Sequence, residues 1–240
     1  MIKFFRRIRQ RLITENKLSK YLLYAVGEIL LVMIGILLAL QVNTWNEKRK
    51  TESTYFSMLE ELKFNLKSDI DDIELNMGYH KQAYNSSKLI SNVLRYDLQY
   101  NDSLDSHFSS VLIVPLFVPT TTAYTKLKET GTDLIKNDSL RYEIIGLYDR
   151  DYVFLKDWIG SERKQMYNNM YDLYQSNFES IDFMGSSHPS DFNDLIENKS
   201  FINYINHKNY YSTFTLNLYK RVLDAIKTIL RMIDAELLKN

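Results

Sequence analysis

The sequence predicts an all-α protein: one transmembrane helix that continues into an extracytoplasmic antiparallel helical bundle. Three observations predict it. An apolar run, YLLYAVGEILLVMIGILLAL, fills residues 21–40 with a single charge. Beyond it, apolar residues recur every three or four positions over long stretches, which is the spacing of one helix face. Glycine (7) and proline (3) are too scarce for the many turns of a β-sandwich. The chain accordingly divides into a basic segment, 1–20, a span, 21–42, and a helical domain, 43–240.

The basic segment comes first. Residues 1–20 carry seven Lys and Arg against Glu15 alone, a local charge of +6 inside a chain whose net charge is zero. Phe5, Ile8 and Leu12 recur at helical spacing, with Arg6 and Arg7 between them. Such a segment lies on an anionic leaflet, apolar face down. Residues 46–240 balance the chain with about −5, which is no footprint for nucleic acid, because phosphate contacts need a basic face.

The span follows. Twenty residues rising about 1.5 Å each cover roughly 30 Å, the thickness of the hydrocarbon layer. A cleaved signal peptide would have a shorter apolar region and small residues at its cleavage site. Here Leu38, Ala39, Leu40 and Gln41 follow instead, so an uncleaved anchor is expected. The excess of Lys and Arg before the span places the N-terminus in the cytoplasm and the main domain outside it. Tyr21 and Tyr24 at one end and Trp45 at the other suit the two membrane interfaces.

Glu28 is the one charge in the span, and an isolated charge in hydrocarbon costs at least about 2.5 kcal/mol. Gly27, Gly35 and Ala39 supply small residues that let another helix approach. This combination reads as a self-association face with Glu28 hydrogen-bonded across it, or as a pairing site for a membrane-protein partner. A proton relay would need a second ionisable group in the span, and none is there.

The stretch ENKLSKYLLYAVGEILLVMIGILLALQVNTWNE, residues 15–47, resembles the N-terminal signature of a bacterial inner-membrane family classed as a domain of unknown function. The later stretch AYTKLKETGTDLIKNDSLRYEIIGLYD, residues 123–149, is similar to that family's central motif, with Thr125 where an acidic residue is expected. The resemblance covers most of the chain. It implies an inner-membrane location with a periplasmic domain and carries no catalytic residue across.

In the domain, Tyr55, Leu59, Leu62, Leu66, Ile70, Ile73 and Met77 form one stripe, and Asp69, Asp71, Asp72 and Glu74 read as its solvated complement. The helix should run from the span to about Leu94. Val111 to Phe117 is β-branched but closed by Pro115 and Pro119, which favours a loop over a strand. A helix near 120–130 should end at Gly131 as a left-handed cap. Asn137 should cap a long helix to about Ile181. GSSHP, residues 185–189, is a loop, and a short helix starts at Asp191. The last helix should run from about Asn209 to Leu238, with Phe214, Leu218, Val222, Ile226, Ile229, Ile233 and Leu237 inward. Tyr148, Tyr152, Tyr167, Tyr171 and Tyr174 cluster on the central helix as packing residues, some of them available to a partner.

Little chemistry is legible. The absence of cysteine excludes disulfides and thiolate metal sites. No H-E-x-x-H, G-x-S-x-G, Walker or G-x-G-x-x-G pattern occurs. Asp102, Asp105 and His107, or His188 and Asp191, are too few for a metal set. No cofactor and no metal are expected, and the protein reads as a non-catalytic interaction module: a scaffold, adaptor or accessory subunit of an envelope complex. The second reading is an extracytoplasmic sensor that signals through a partner, since only 20 residues precede the span. An envelope enzyme is third. A polar pocket with converging ionisable groups would favour the second or third reading, and a solid apolar core the first.

Overall fold

The computed structural model describes residues 18–183 and 185–239. The basic segment with Phe5, Arg6, Arg7 and Ile8 lies outside the described residues, as does the side chain of Tyr21. The chain forms two compact units, residues 1–54 and 55–240. Helix α1, Leu18–Tyr96, supplies the described part of the first unit and opens the second.

Over residues 22–42, Glu28 and Gln41 apart, α1 is apolar on every side, and no residue from 22 to 54 is buried. It is the one helix among the described residues long and apolar enough to cross a membrane, and its most apolar 18-residue window is 0% buried. Leu31, Val32 and Met33, successive positions 100° apart around the helix, are all exposed.

The second unit is a helical bundle. Its remaining elements are α2 (Asp105–Ser110), α3 (Thr122–Thr130), α4 (Asp138–Gly146), α5 (Tyr152–Gln165), α6 (Tyr171–Asn177), β1 (Phe178–Ser180), β2 (His188–Pro189), α7 (Phe192–Glu197) and α8 (Lys199–Leu237). Helices α4, α5 and α6 are one rod in which two π-helical turns, Leu147–Asp151 and Met166–Met170, replace α-helical ones.

The ends of these helices follow the sequence signals. Asn137 Oδ1 accepts from the Leu140 amide, Asp191 Oδ1 from Asn193 and Asp194, and Asn198 Oδ1 from Ser200 and Phe201, so each N-terminus has one or two of its free amides capped. Gly131 ends α3 at φ 106, ψ 127. Its positive φ suits glycine, although the conformation is extended rather than the left-handed helical one expected. The last helix begins ten residues earlier than the sequence suggests, at Lys199. The GSSHP loop ends in β2, which pairs antiparallel with β1 across an irregularity.

Side-chain contacts fix the directions of the three long rods. Tyr55 meets Glu236, Lys63 meets Asp234, and His80 packs on Tyr219, so α8 runs antiparallel to α1. Trp158 reaches Thr215, Glu162 reaches Lys208, and Gln165 reaches Tyr211, so α8 also opposes α5. Tyr152 bonds Asp69, and His80 lies in the field of Glu162. The first and central rods therefore run the same way. Residues 97–137 carry the chain back between them.

The core holds Leu59, Leu62, Leu66 and Ile73 of α1, Leu140, Ile144, Leu155 and Ile159 of the central rod, and Val222, Ile226, Ile229 and Ile233 of α8, all essentially inaccessible. Expected stripe residues Ile70, Met77, Phe214 and Leu237 are half-buried at its margin.

Residues 111–121 form the loop that the two prolines favour, but a buried one: Val111, Leu112, Val114 and Phe117 lie in the core. A buried loop must satisfy its backbone without a ladder. Here the side chains of the rods do so. Tyr204 donates to the Val111 carbonyl (2.7 Å), Lys208 to Ile113 (3.0 Å), Arg163 to Val114 (2.7 Å), Asn76 to Leu116 (3.1 Å) and Tyr148 to Thr120 (3.3 Å). The abundance of tyrosine thus has a local reason: a flat apolar body fills the core while its hydroxyl meets a stranded carbonyl.

Candidate functional site

The groups that stand out chemically are charges on the apolar registers of three helices. On α1, Leu62, Leu66, Asp69 and Ile73 follow one another at helical spacing and are all buried. Asp69 is therefore no part of a solvated acidic face, unlike Asp71 and Glu74, which are exposed. Its Oδ1 accepts from the Thr120 amide (2.7 Å) and its Oδ2 from the Tyr152 hydroxyl (2.6 Å). Burial raises the carboxyl's pKa, and the two hydrogen bonds oppose that rise.

On α5, Leu155, Ile159, Glu162 and then Met166 share an inward face, and on α8 Phe201, Ile205, Lys208 and Ser212 do. The two charges meet: Lys208 Nζ lies 2.8 Å from Glu162 Oε1, with 2% and 6% of their side chains exposed. The ammonium also donates to Ile113 O. Glu162 Oε2 is buried and accepts no hydrogen bond. Behind the pair lies His80, 0% exposed, with neither ring nitrogen bonded. Desolvation pushes its pKa down to about 4, so it is neutral at pH 7.

A pocket of about 410 Å³ opens beside this pair, between the π-helical turn 166–170 and the N-terminal half of α8. That volume is in the range of small-molecule sites. Met166 and Met170 give it apolar wall, Tyr204 and Tyr211 give it aromatic wall, and Asn169 and Asn203 stand at its exposed rim. A π-helical turn inserts extra backbone into a helix, re-aims the side chains that follow, and is frequent at functional sites. His207 lies on Tyr211, with ring centroids 4.4 Å apart.

A second polar cluster joins Tyr100, Asp105 and His188. The tyrosine hydroxyl donates to Asp105 Oδ1 (2.6 Å), and His188 Nδ1 stands 3.0 Å from Oδ2. Asp105 raises the histidine's pKa. His107 instead pairs with Ser86 (2.9 Å), and Asp191 caps α7. No group of three metal-ligating side chains occurs among the described residues. The cluster ties the residues around α2 to β2.

The residues singled out in the span all lie on α1. Glu28, Gly35 and Ala39 share one face, while Gly27 points about 100° away. Gly27, Gly35 and Ala39 are exposed, and Glu28 and Tyr24 are half-buried. A Cβ at either glycine would meet no atom within 4 Å. Trp45 is exposed, with the Arg49 guanidinium 5.7 Å from its ring. Of the central tyrosines, Tyr148, Tyr152 and Tyr174 are buried, whereas Tyr167 and Tyr171 are exposed.

The central motif is structural framework. Ala123, Tyr124, Leu127, Leu140, Ile144, Leu147 and Tyr148 are buried, and Tyr124 stacks on Tyr148 at 4.4 Å. Thr125 is exposed, so no buried acid is missing there. A family model described as a family of unknown function (DUF6090) matches residues 28–213, well over half of the chain. No curated protein and no solved structure matches it.

Proposed function

The chain belongs to this family, and we propose that it acts as a membrane-anchored, non-catalytic interaction module. One observation carries the reading: a single helix holds both a stretch that is apolar all round and a stretch that is apolar on one face. The first kind suits lipid, the second a folded core. The basic N-terminal segment puts residues 55–240 on the extracytoplasmic side, the periplasm of a bacterial inner membrane. There the bundle presents exposed aromatic residues, Tyr167, Tyr171 and Tyr210 among them, of the kind enriched where proteins meet. Gly35 and Ala39, beside Glu28, supply a second contact within the bilayer, with another copy or a partner helix.

Purification of the full chain from its native membranes in mild detergent, followed by mass spectrometry, tests this. Stoichiometric co-purification of an envelope protein, reduced by Tyr167→Ala together with Tyr171→Ala, is expected. Recovery of the chain alone, or of the same partner from the double variant, contradicts it. A second reading, an extracytoplasmic sensor acting through a partner, is favoured by the pocket beside Glu162 and Lys208.

A further inference from the structure

We propose that this pocket binds a neutral sugar: one apolar face of a pyranose ring lies against Met166, Met170 and Tyr204, and its hydroxyls bond the side chains of Asn169, Ser200 and Asn203 at the rim. The inference goes beyond anchoring and protein contact, and it supplies the ligand class that the sensor reading lacks.

Charge decides first. Glu162 and Lys208 are the one carboxylate and the one ammonium of the lining. They hold each other at 2.8 Å, with 6% and 2% of their side chains exposed. Neither charge is offered to a ligand, so an ion entering the pocket would shed water and meet no free countercharge. The reachable polar groups are neutral. Asn169, Ser200 and Asn203 line the pocket and are exposed, and their side chains make no hydrogen bond with the described residues. A carboxamide presents both a donor and an acceptor, and so does a hydroxyl. Their complement is a ligand dense in groups that also do both.

The walls agree. Met166 and Met170, each 6% exposed, give an adaptable apolar surface below the rim. The Tyr204 hydroxyl is committed to the Val111 carbonyl (2.7 Å), which leaves its ring body for the pocket. A flat aromatic ligand fits less well, because Tyr211 already has the rings of Trp158 at 4.7 Å and His207 at 4.4 Å. A pyranose with equatorial hydroxyls matches both parts of the lining. Its C–H bonds make an apolar face, and its hydroxyls radiate in the plane of the ring. The volume of about 410 Å³ has room for such a ring.

The test titrates three probes into the full chain and follows binding by saturation-transfer NMR. The micelles are of an amine-oxide detergent, which carries no sugar headgroup to compete. The probes are methyl β-glucoside, methyl β-glucuronide and methoxycyclohexane, the last a six-membered ring without hydroxyls. The glucoside should bind saturably. Methoxycyclohexane should bind at least about tenfold more weakly, a difference of about 1.4 kcal/mol, and the glucuronide more weakly than the glucoside. Asn169→Leu together with Asn203→Leu keeps the size of both side chains and removes their amides. It should weaken the glucoside at least about tenfold without weakening methoxycyclohexane. The melting temperature should stay put, because both positions are exposed. No saturable binding of the glucoside, equal affinity for the hydroxyl-free ring, preference for the glucuronide, or unchanged glucoside binding in the double variant would each overturn the proposal. None of these results touches the anchor or the interaction reading, and loss of a co-purifying partner would leave sugar binding standing.

Discussion

Residues 22–42 and the bundle that starts at Tyr55 both draw on leucine, isoleucine and valine, yet they use them differently. In the first, Leu31 is 67% exposed and no residue is buried; in the second, Leu62 is 0% exposed. Each region also holds a carboxylate where apolar residues surround it. Glu28 lies in the apolar run, and Glu162 in the core with Lys208 against it. Symmetry of the apolar pattern about the helix axis separates a helix made for lipid from one made for protein neighbours. An intruding charge has a different meaning in each: in the bilayer we propose that it favours a neighbouring helix, and in the core it meets its partner within the chain.

The largest effects should come from breaking the core pair. Lys208→Met alone leaves Glu162 as an unpaired buried charge and should cost the bundle about 3–5 kcal/mol, whereas Lys208→Met with Glu162→Leu should recover most of that loss. Urea unfolding followed by circular dichroism measures both. A double variant as unstable as the single one would show that the pair is not the unit. Next, Leu62→Ala should cost about 2–5 kcal/mol while Leu31→Ala leaves the same unfolding curve unchanged. Equal losses would erase the distinction between the two regions.

The long apolar helix, the stripes of α1 and α8, the prolines that favour a loop, the cap Asn137 and the helix start at Asp191 were legible, because each is a local pattern with a local cause. The pocket was not. Starting the last helix at Asn209 cut off Lys208, although Phe201, Ile205, Lys208 and Ser212 continue one inward face. Asp69 was read with its exposed neighbours, although its position in register with Leu62, Leu66 and Ile73 marks it as inward. A charge on an apolar register is the signal, on each of three helices. Which charges then meet is set by the order of the rods, and the π-helical turn at 166–170 has no clear sequence mark beyond its paired asparagines.

Acidification should sharpen the contrast further. The folded-state pKa of His80 is depressed from 6.5 to about 4. The contribution is thus present in full above pH 6.5 and is lost as pH falls toward 4, because the unfolded chain takes up a proton that the folded one refuses. Between pH 7 and 4.5 this amounts to about 2 kcal/mol. His80→Leu should remove that part of the pH dependence. It should also stabilise the bundle by about 1 kcal/mol at pH 7, since it deletes two unbonded ring nitrogens. A pH profile identical to that of the parent protein would exclude His80 as its source.

The smallest effects belong to the span. Glu28→Leu and Gly35→Leu should each weaken association between helices by about 0.6–2 kcal/mol, with Glu28→Gln milder because the amide still bonds. Cross-linking yield in native membranes reads this out. An unchanged yield in both leucine variants would make the helix a plain anchor.

In the proposed topology, α1 leaves lipid on one side and enters a folded domain on the far side of the membrane. A reporter that is active only outside the cytoplasm, fused after Asn240 and assayed in carbonate-washed membranes, tests it most directly. The account predicts activity retained in the membrane pellet. Activity confined to the cytoplasm, or released by the wash, would contradict it.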